Sequence, residues 1–237
     1  MIATKLVEKA SLEDLATVVG IEQAAWPDVG EGMIAEEKKF ETRLKLGLMN
    51  IAYLDEKPAG TISYQLPSFV NSDDLALLHN WHHYNEDLLP WGEVCKTIGL
   101  PKNWYDATNG GKIVTPESST HNPNSNCAFL IGVGVDQSMK GNKLVDELIQ
   151  YTLKEAKDAG KEYVVGYGRL PQLCELGSAT VEQAEQHLLK NKPGTHLPYD
   201  YGARFHVKNG AIPICVIPNC MEDSESLDYG FLALYVL

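Results

Sequence analysis

The chain is poor in cysteine, in basic residues and in long apolar runs, and each shortage removes a class of protein. Its five cysteines, Cys95, Cys127, Cys174, Cys215 and Cys220, are odd in number, widely spaced and never in a C-x-x-C pair. That pattern argues against structural zinc and against a disulfide framework. No stretch approaches the run of about 18 apolar residues that a membrane-crossing helix needs. The first residues, Met-Ile-Ala-Thr-Lys-Leu-Val-Glu, lack an apolar run between a basic flank and a cleavage site, so no secretory signal is expected. A reducing cytoplasm is the expected compartment, with no membrane partner. Lys and Arg number 20 against 32 Asp and Glu, a formal net charge of −12. Such a balance argues against nucleic acid as the main partner. It also means that an anionic ligand must be held by local amides and a few lysines against an unfavourable overall field. An acidic chain suits a cationic substrate such as an amine.

What is present is enough apolar material, 44% of 237 residues, for a sizeable core in one large domain or one domain with an insertion. Thr4 to Lys9 reads as a strand. Ser11-Leu-Glu-Asp14 reads as a capping box, and Leu12, Leu15, Ala16, Val19 and Ala24 continue as an apolar helical stripe. A Pro/Gly-rich turn from Pro27 to Gly32 leads to a second helix around Ile34 to Lys45. Met49 to Leu54 and Ala59 to Gln65 read as a hairpin around Asp55-Glu-Lys-Pro58. Pro67 to Ser125 loses this regularity and is expected to be a partly helical insertion, since about 60 residues is marginal for independent folding. Cys127 to Val135 is a buried strand. A helix is predicted from about Asn142 to Ala159 with Gly160 as its left-handed stop, then a strand from Tyr163 to Tyr167. A helical stretch over Val181 to Leu189 and a helix capped by Asp200 running to Lys208 follow. Ile212 to Ile217 and Gly230 to Val236 close a mixed sheet.

The richest segment is Val133-Gly-Val-Asp-Gln-Ser-Met-Lys-Gly-Asn-Lys-Leu144, where a buried strand turns at Gly141 into an amphipathic helix. Main-chain N–H groups converge at such a helix start and the helix dipole favours an anion there. A phosphate-bearing ligand is therefore expected at this turn. Gly132 and Gly134 suggest a dinucleotide fingerprint only superficially, because the third glycine and the acidic residue ending a second strand are missing. An ordinary strand-to-helix connection is the other reading.

These residues resemble the GNAT superfamily of acyl-CoA-dependent N-acyltransferases. That family's turn reads Val-x-Pro-x-x-Arg-Gly-x-Gly-Ile-Gly, and Val135-Asp-Gln-Ser-Met-Lys-Gly-Asn-Lys-Leu-Val145 lies on it without a gap. Val135, Gly141 and Leu144 match and Lys140 replaces Arg. Gln137 replaces Pro, and Lys143 replaces a residue kept small so that a pyrophosphate can approach the backbone. Arg204-Phe-His-Val-Lys-Asn-Gly-Ala211 is similar to the family's Leu-Tyr-Glu-Lys-x-Gly-Phe helix end. Gly168-Arg-Leu-Pro171, Asp200 to His206 and Tyr229-Gly230 resemble GNAT modules found fused to nitrilase-type amidohydrolases. The resemblance implies an α/β fold, a mixed and largely antiparallel sheet flanked by helices, forming one domain over 1–237 with a helical and loop insertion at about 67–125.

It further implies an N-acetyltransferase moving an acetyl group from acetyl-CoA to a small-molecule or peptide amine by direct attack in a ternary complex. Coenzyme A would be the cosubstrate, without a metal. Its diphosphate would sit on Met139, Lys140, Gly141, Asn142, Lys143 and Leu144, and its arm along Val133, Gly134 and Val135. A strand amide near Val135 would stabilise the oxyanion. His206, where the family often has Tyr, is the expected proton donor to the leaving thiolate, because histidine titrates near working pH; the other reading is a core or helix-capping histidine. Tyr167 is the second candidate for that role. A general base is not evident, since no carboxylate lies between Cys127 and Val135. Glu86, Asp87, His83, His121, Glu31 and Glu36 are candidates, each also readable as a surface residue, and deprotonation through ordered water fits equally. Trp81-His-His-Tyr84 would either line a substrate pocket or anchor the insertion. Cys127 reads as a small apolar residue. A non-catalytic acyl-CoA sensor with the same fold stays open for want of a base, as does a homodimer.

Overall fold

The computed structural model describes residues 4–26, 36–85, 87–139 and 141–237. Among them, strands β1 (Lys5–Lys9), β2 (Met49–Leu54), β3 (Lys57–Gln65), β4 (Cys127–Val135), β5 (Tyr163–Arg169), β6 (Ile212–Ile217) and β7 (Gly230–Val236) form one sheet. Their order is β1-β2-β3-β4-β5-β7-β6. All neighbours are antiparallel except β4 and β5. The helices are α1 (Leu15–Ala25), α2 (Glu37–Lys45), α3 (Ser72–Asn85), α4 (Trp91–Ile98), α5 (Trp104–Thr108), α6 (Leu144–Asp158), α7 (Val181–Leu189) and α8 (Tyr201–Lys208). The sheet is mixed, largely antiparallel and flanked by helices, as the sequence implied.

Side-chain alternation decides which helix covers which face. A Cβ on Gly60 would meet Leu148 of α6, whereas one on Gly134, opposite the adjacent residue Thr61, would meet Ala25 of α1. So α6 covers one face, and α1 with α2 covers the other. Leu144, Leu148 and Ile149 of α6 are buried against the sheet, each such side chain contributing about 1.5–3 kcal/mol.

Local chemistry explains most boundaries. Ser11 and Asp14 form the reciprocal capping box that starts a short 3-10 turn running into α1. Asp55 and Glu56 both adopt positive φ, a two-residue hairpin turn that lets β3 begin at Lys57 rather than Ala59. Pro58 fits inside the strand because the register shifts beside its partner Tyr53. The helix expected from Asn142 begins at Leu144, since Gly141 (φ 91°) and Lys143 (φ 59°) are left-handed. The second helix is seen from Glu37; the predicted start at Ile34 and the turn from Pro27 to Gly32 lie outside the described residues. The segment between β3 and β4 holds α3, α4 and α5 and is tied to the β6 side by Leu89 N–H to Ile214 O (2.8 Å) and Trp104 N–H to Cys220 O (2.7 Å). Among the described residues no helix is long and apolar enough to cross a membrane.

Candidate active site

The sheet opens at its centre. β4 pairs with β5 from Cys127↔Tyr163 to Leu130↔Gly166 and no further. Yet β4 continues beside β3 to Val135, and β5 beside β7 to Arg169. Past Leu130 the two parallel strands part, and β5 supplies no ladder partner for Ile131 to Val135. The parting begins at a bulge: Tyr64 and Ser63 of β3 face Leu130 and Gly132, leaving Ile131 as the extra residue. A bulge bends its strand away from regular pairing. The Ile131 carbonyl instead accepts from the Trp104 indole N–H (2.8 Å).

A cleft of about 1620 Å³ runs from this opening to the start of α6. At that start the N–H groups of Gly141, Asn142, Lys143 and Leu144 find no acceptor among the described residues, and no side chain caps the helix. Unsatisfied donors at a helix start are an anion site in waiting. Asp146, in the first turn, is ion-paired with Lys208 Nζ (2.7 Å) and accepts a hydrogen bond from Asn209 Nδ2 (2.8 Å). Val133, Val135, Met139, Gly141, Asn142, Lys143 and Leu144 all line the cleft. Gly134 does not; it lies beneath α1, where a Cβ would meet Ala25, Trp26 and Glu22. Lys140 lies outside the described residues.

His206 also lines the cleft. Asp200 starts its helix by accepting from Gly202 N–H (2.8 Å) and Ala203 N–H (3.1 Å), and the same carboxylate touches His187 Nε2 at 3.2 Å. His206 Nδ1 shares a hydrogen bond of 2.8 Å with the Tyr235 hydroxyl, between the rings of Phe205 and Phe231. Burial pushes its pKa down to about 4, which corrects the expectation that it titrates near working pH: the ring is neutral at pH 7. Tyr167 lines the cleft between Phe129 and Trp91, and its hydroxyl donates to the Pro101 carbonyl at 2.5 Å.

None of the base candidates that fall within the described residues lines the cleft. His121 Nδ1 accepts from Leu66 N–H (3.2 Å), and Glu36 stands 3.9 Å from Lys39. His83 and Asp87 are exposed. Glu31 and Glu86 lie outside the described residues. Trp81 is 43% exposed and away from the cleft, so the insertion contributes Trp104 instead. Cys127 is buried at the base of β4, its thiol donating to Val70 O.

What sequence reasoning missed lies on the α1–α2 face. Glu22 of α1 accepts a hydrogen bond from the Thr61 hydroxyl, and burial raises its pKa, only partly offset by Thr61 and Arg43. Arg43 of α2 reaches Ser63 Oγ (3.1 Å) and the Gly111 carbonyl. Thr61 and Ser63 pair with Gly134 and Gly132, so Glu22 and Arg43 stand side by side over the two glycines. Above Gly132 nothing lies within 4 Å of where a Cβ would be. The legible signal was a charge on an inward stripe: Glu22 lies between Val18 and Ala25, and Arg43 between Phe40 and Leu44, all four buried. At the mouth, Arg169 pairs with Asp223 (2.7 Å) and Glu225 (2.8 Å), and the Trp26 ring lies 5.0 Å from its guanidinium.

No family model matches the chain. An uncharacterised N-acetyltransferase, YkwB, of Bacillus subtilis (strain 168) is 27% identical over 135 residues, 54% of this chain; the chain spans about half (53%) of that relative's length. Among solved structures, the loading GNATL domain of CurA from Lyngbya majuscula superposes with a TM-score of 0.67 at 18% identity, over 98% of each chain. The GphF GNAT-like decarboxylase, in complex with isobutyryl-CoA, gives 0.64 at 18% identity, again over 98% of each.

Proposed function

Because the chain has the fold of the GNAT N-acyltransferases, we propose that it transfers an acyl group, acetyl in the simplest case, from coenzyme A to an amine. The observation that carries this reading is the parting of β4 from β5 beside a turn lined with unused amides. An open strand edge next to an anion cradle suits a long ligand with a diphosphate at one end and an amide-bearing arm. In this reading Gly141 to Leu144 hold the diphosphate, and the free edge of Ile131 to Val135 pairs with the arm. The whole chain acts as one unit, with 67–125 inserted beside the acceptor side of the cleft.

The chain's own groups then divide the work. Glu22, a carboxylate with a raised pKa over Gly134, takes the proton of the incoming ammonium. An amide of the open strand, at its Gly132 end rather than near Val135, faces the oxyanion. A neutral His206 that lost its remaining proton would become an imidazolate, so it serves as a hydrogen-bond donor to the developing thiolate, which takes its proton from the nitrogen of the collapsing intermediate as the C–S bond breaks. Tyr167 holds Pro101 and shapes the wall. The sensor reading rested on the lack of a carboxylate on the buried strand; Glu22 offers one from α1 instead, and turnover separates the two readings.

Thiol release from acetyl-CoA against a panel of amines tests the proposal. Glu22→Gln is expected to lower kcat/KM by about 10²–10⁴-fold with coenzyme A affinity unchanged. Gly141→Asp should abolish coenzyme A binding while leaving the circular dichroism intact. Unchanged affinity in that variant, or tight binding without turnover on any amine, would overturn the reading.

A further inference from the structure

We infer that the floor above Gly132 is a carboxylate subsite anchored by Arg43, so that one of the two reacting molecules carries a carboxylate; the inference rests on the acyl-transfer reading. Arg43 is only 5% exposed and lines the cleft. The acidic group that acts on it is Glu22, whose own carboxyl burial shifts toward the uncharged form, so the guanidinium's charge is only partly compensated. Its Nε and one terminal nitrogen donate to Gly111 O, and the other terminal nitrogen donates to Ser63 Oγ. Three of the guanidinium's N–H groups are thus used, leaving two of its five donors for a ligand.

The site is built around this side chain. Gly111 has φ 81°, and a Cβ there would stand 2.8 Å from the guanidinium, so only glycine lets its carbonyl reach Arg43. Thr108 Oγ1 accepts from Gly111 N–H (2.9 Å) and holds that carbonyl in place. Trp104 closes the far side. A planar fork held from two sides recognises a carboxylate with direction as well as charge.

Spacing points to the acceptor as the carboxylate's source. Glu22 and Arg43 bind Thr61 and Ser63, two residues apart on one face of β3, which is roughly 6–7 Å along a strand. An ammonium at Glu22 and a carboxylate at Arg43 fit an amino acid. An acyl chain ending in a carboxylate has the same chemistry, and matched pairs separate the two.

The experiment compares L-phenylalanine with phenethylamine as acceptors, and succinyl-CoA with butyryl-CoA as donors, in the wild type, Arg43→Gln, Arg43→Lys and Ser63→Ala. The carboxylated member of one pair is expected to be favoured about 10–100-fold in kcat/KM, the worth of one charge-assisted contact. Arg43→Gln should bring that ratio near one, while coenzyme A affinity by calorimetry stays unchanged. Arg43→Lys and Ser63→Ala keep the charge and should lose part of the preference; Ser63→Ala, which leaves Arg43 on the Gly111 carbonyl, decides the matter if Arg43→Gln does not fold. Preference in the acceptor pair or in the donor pair supports the subsite and names its source. Normal coenzyme A binding with no preference in either pair overturns the subsite and leaves acyl transfer standing. Should coenzyme A not bind, the functional reading falls, and calorimetric binding of phenylalanine over phenethylamine, lost in Arg43→Gln, still tests the anchor.

Discussion

Glu22, Arg43 and His206 are each shifted in the same sense, toward the uncharged form, by loss of water. Burial raises the Glu22 carboxyl, lowers Arg43 to about 10 and lowers His206 to about 4. The His206 shift makes a stability prediction. Its folded pKa lies below the ordinary 6.5, so between pH 6.5 and 4 the unfolded chain binds the extra proton. The stability linked to it is complete above pH 6.5 and is lost as pH falls toward 4. His206→Gln keeps a partner for Tyr235 and does not titrate, so its melting temperature should fall less over that window. Parallel curves would show that His206 does not set the acid sensitivity. The sequence left a core histidine open as the other reading but could not choose it, because the burial comes from Phe231 and Tyr235, far along the chain. Glu22 showed in the sequence only as a charge on an apolar stripe, because its partner Thr61 sits 39 residues away.

Elements governed by local chemistry were legible, and those governed by long-range pairing were not. The Ser11 and Asp200 caps, the positive-φ Gly160 after α6 and the apolar run of β4 were read directly from neighbouring residues. The Gly141 turn was also legible, but two left-handed residues start α6 two positions later than periodicity suggested. The bulge at Ile131 depends on register with β3, which no local pattern encodes, and the parting of β4 from β5 was implied only by the family resemblance, which lays a ligand arm along Val133 to Val135. Lys143 is the strained member of the turn, a side-chain-bearing residue at φ 59°. Lys143→Gly removes a left-handed penalty and is expected to raise the unfolding free energy by about 0.5–1 kcal/mol in urea titrations. If main-chain amides hold the diphosphate, coenzyme A affinity should fall no more than about fivefold. A larger fall would assign the hold to the lysine ammonium instead.

For the molecule as a whole, a net charge of −12 opposes the approach of an anionic ligand, while the cleft offers fixed amides at short range. Long-range repulsion is screened by salt, whereas contact hydrogen bonds are screened much less. The association rate of coenzyme A should therefore rise between about 10 mM and about 150 mM ionic strength in stopped-flow measurements. A rate that falls instead would mean that a local basic patch, not the overall field, steers binding. The same fold places Glu22 and Arg43 over the pairing of β3 with the splayed β4, so in the proposed reading the substrate groups would meet where the sheet parts. A crystal structure of the protein with coenzyme A tests this arrangement most directly. The account predicts the diphosphate on the amides of Gly141 to Leu144 and the arm between β4 and β5, its thiol turned toward Gly132. Coenzyme A bound elsewhere, with those amides satisfied by the protein itself, would contradict it.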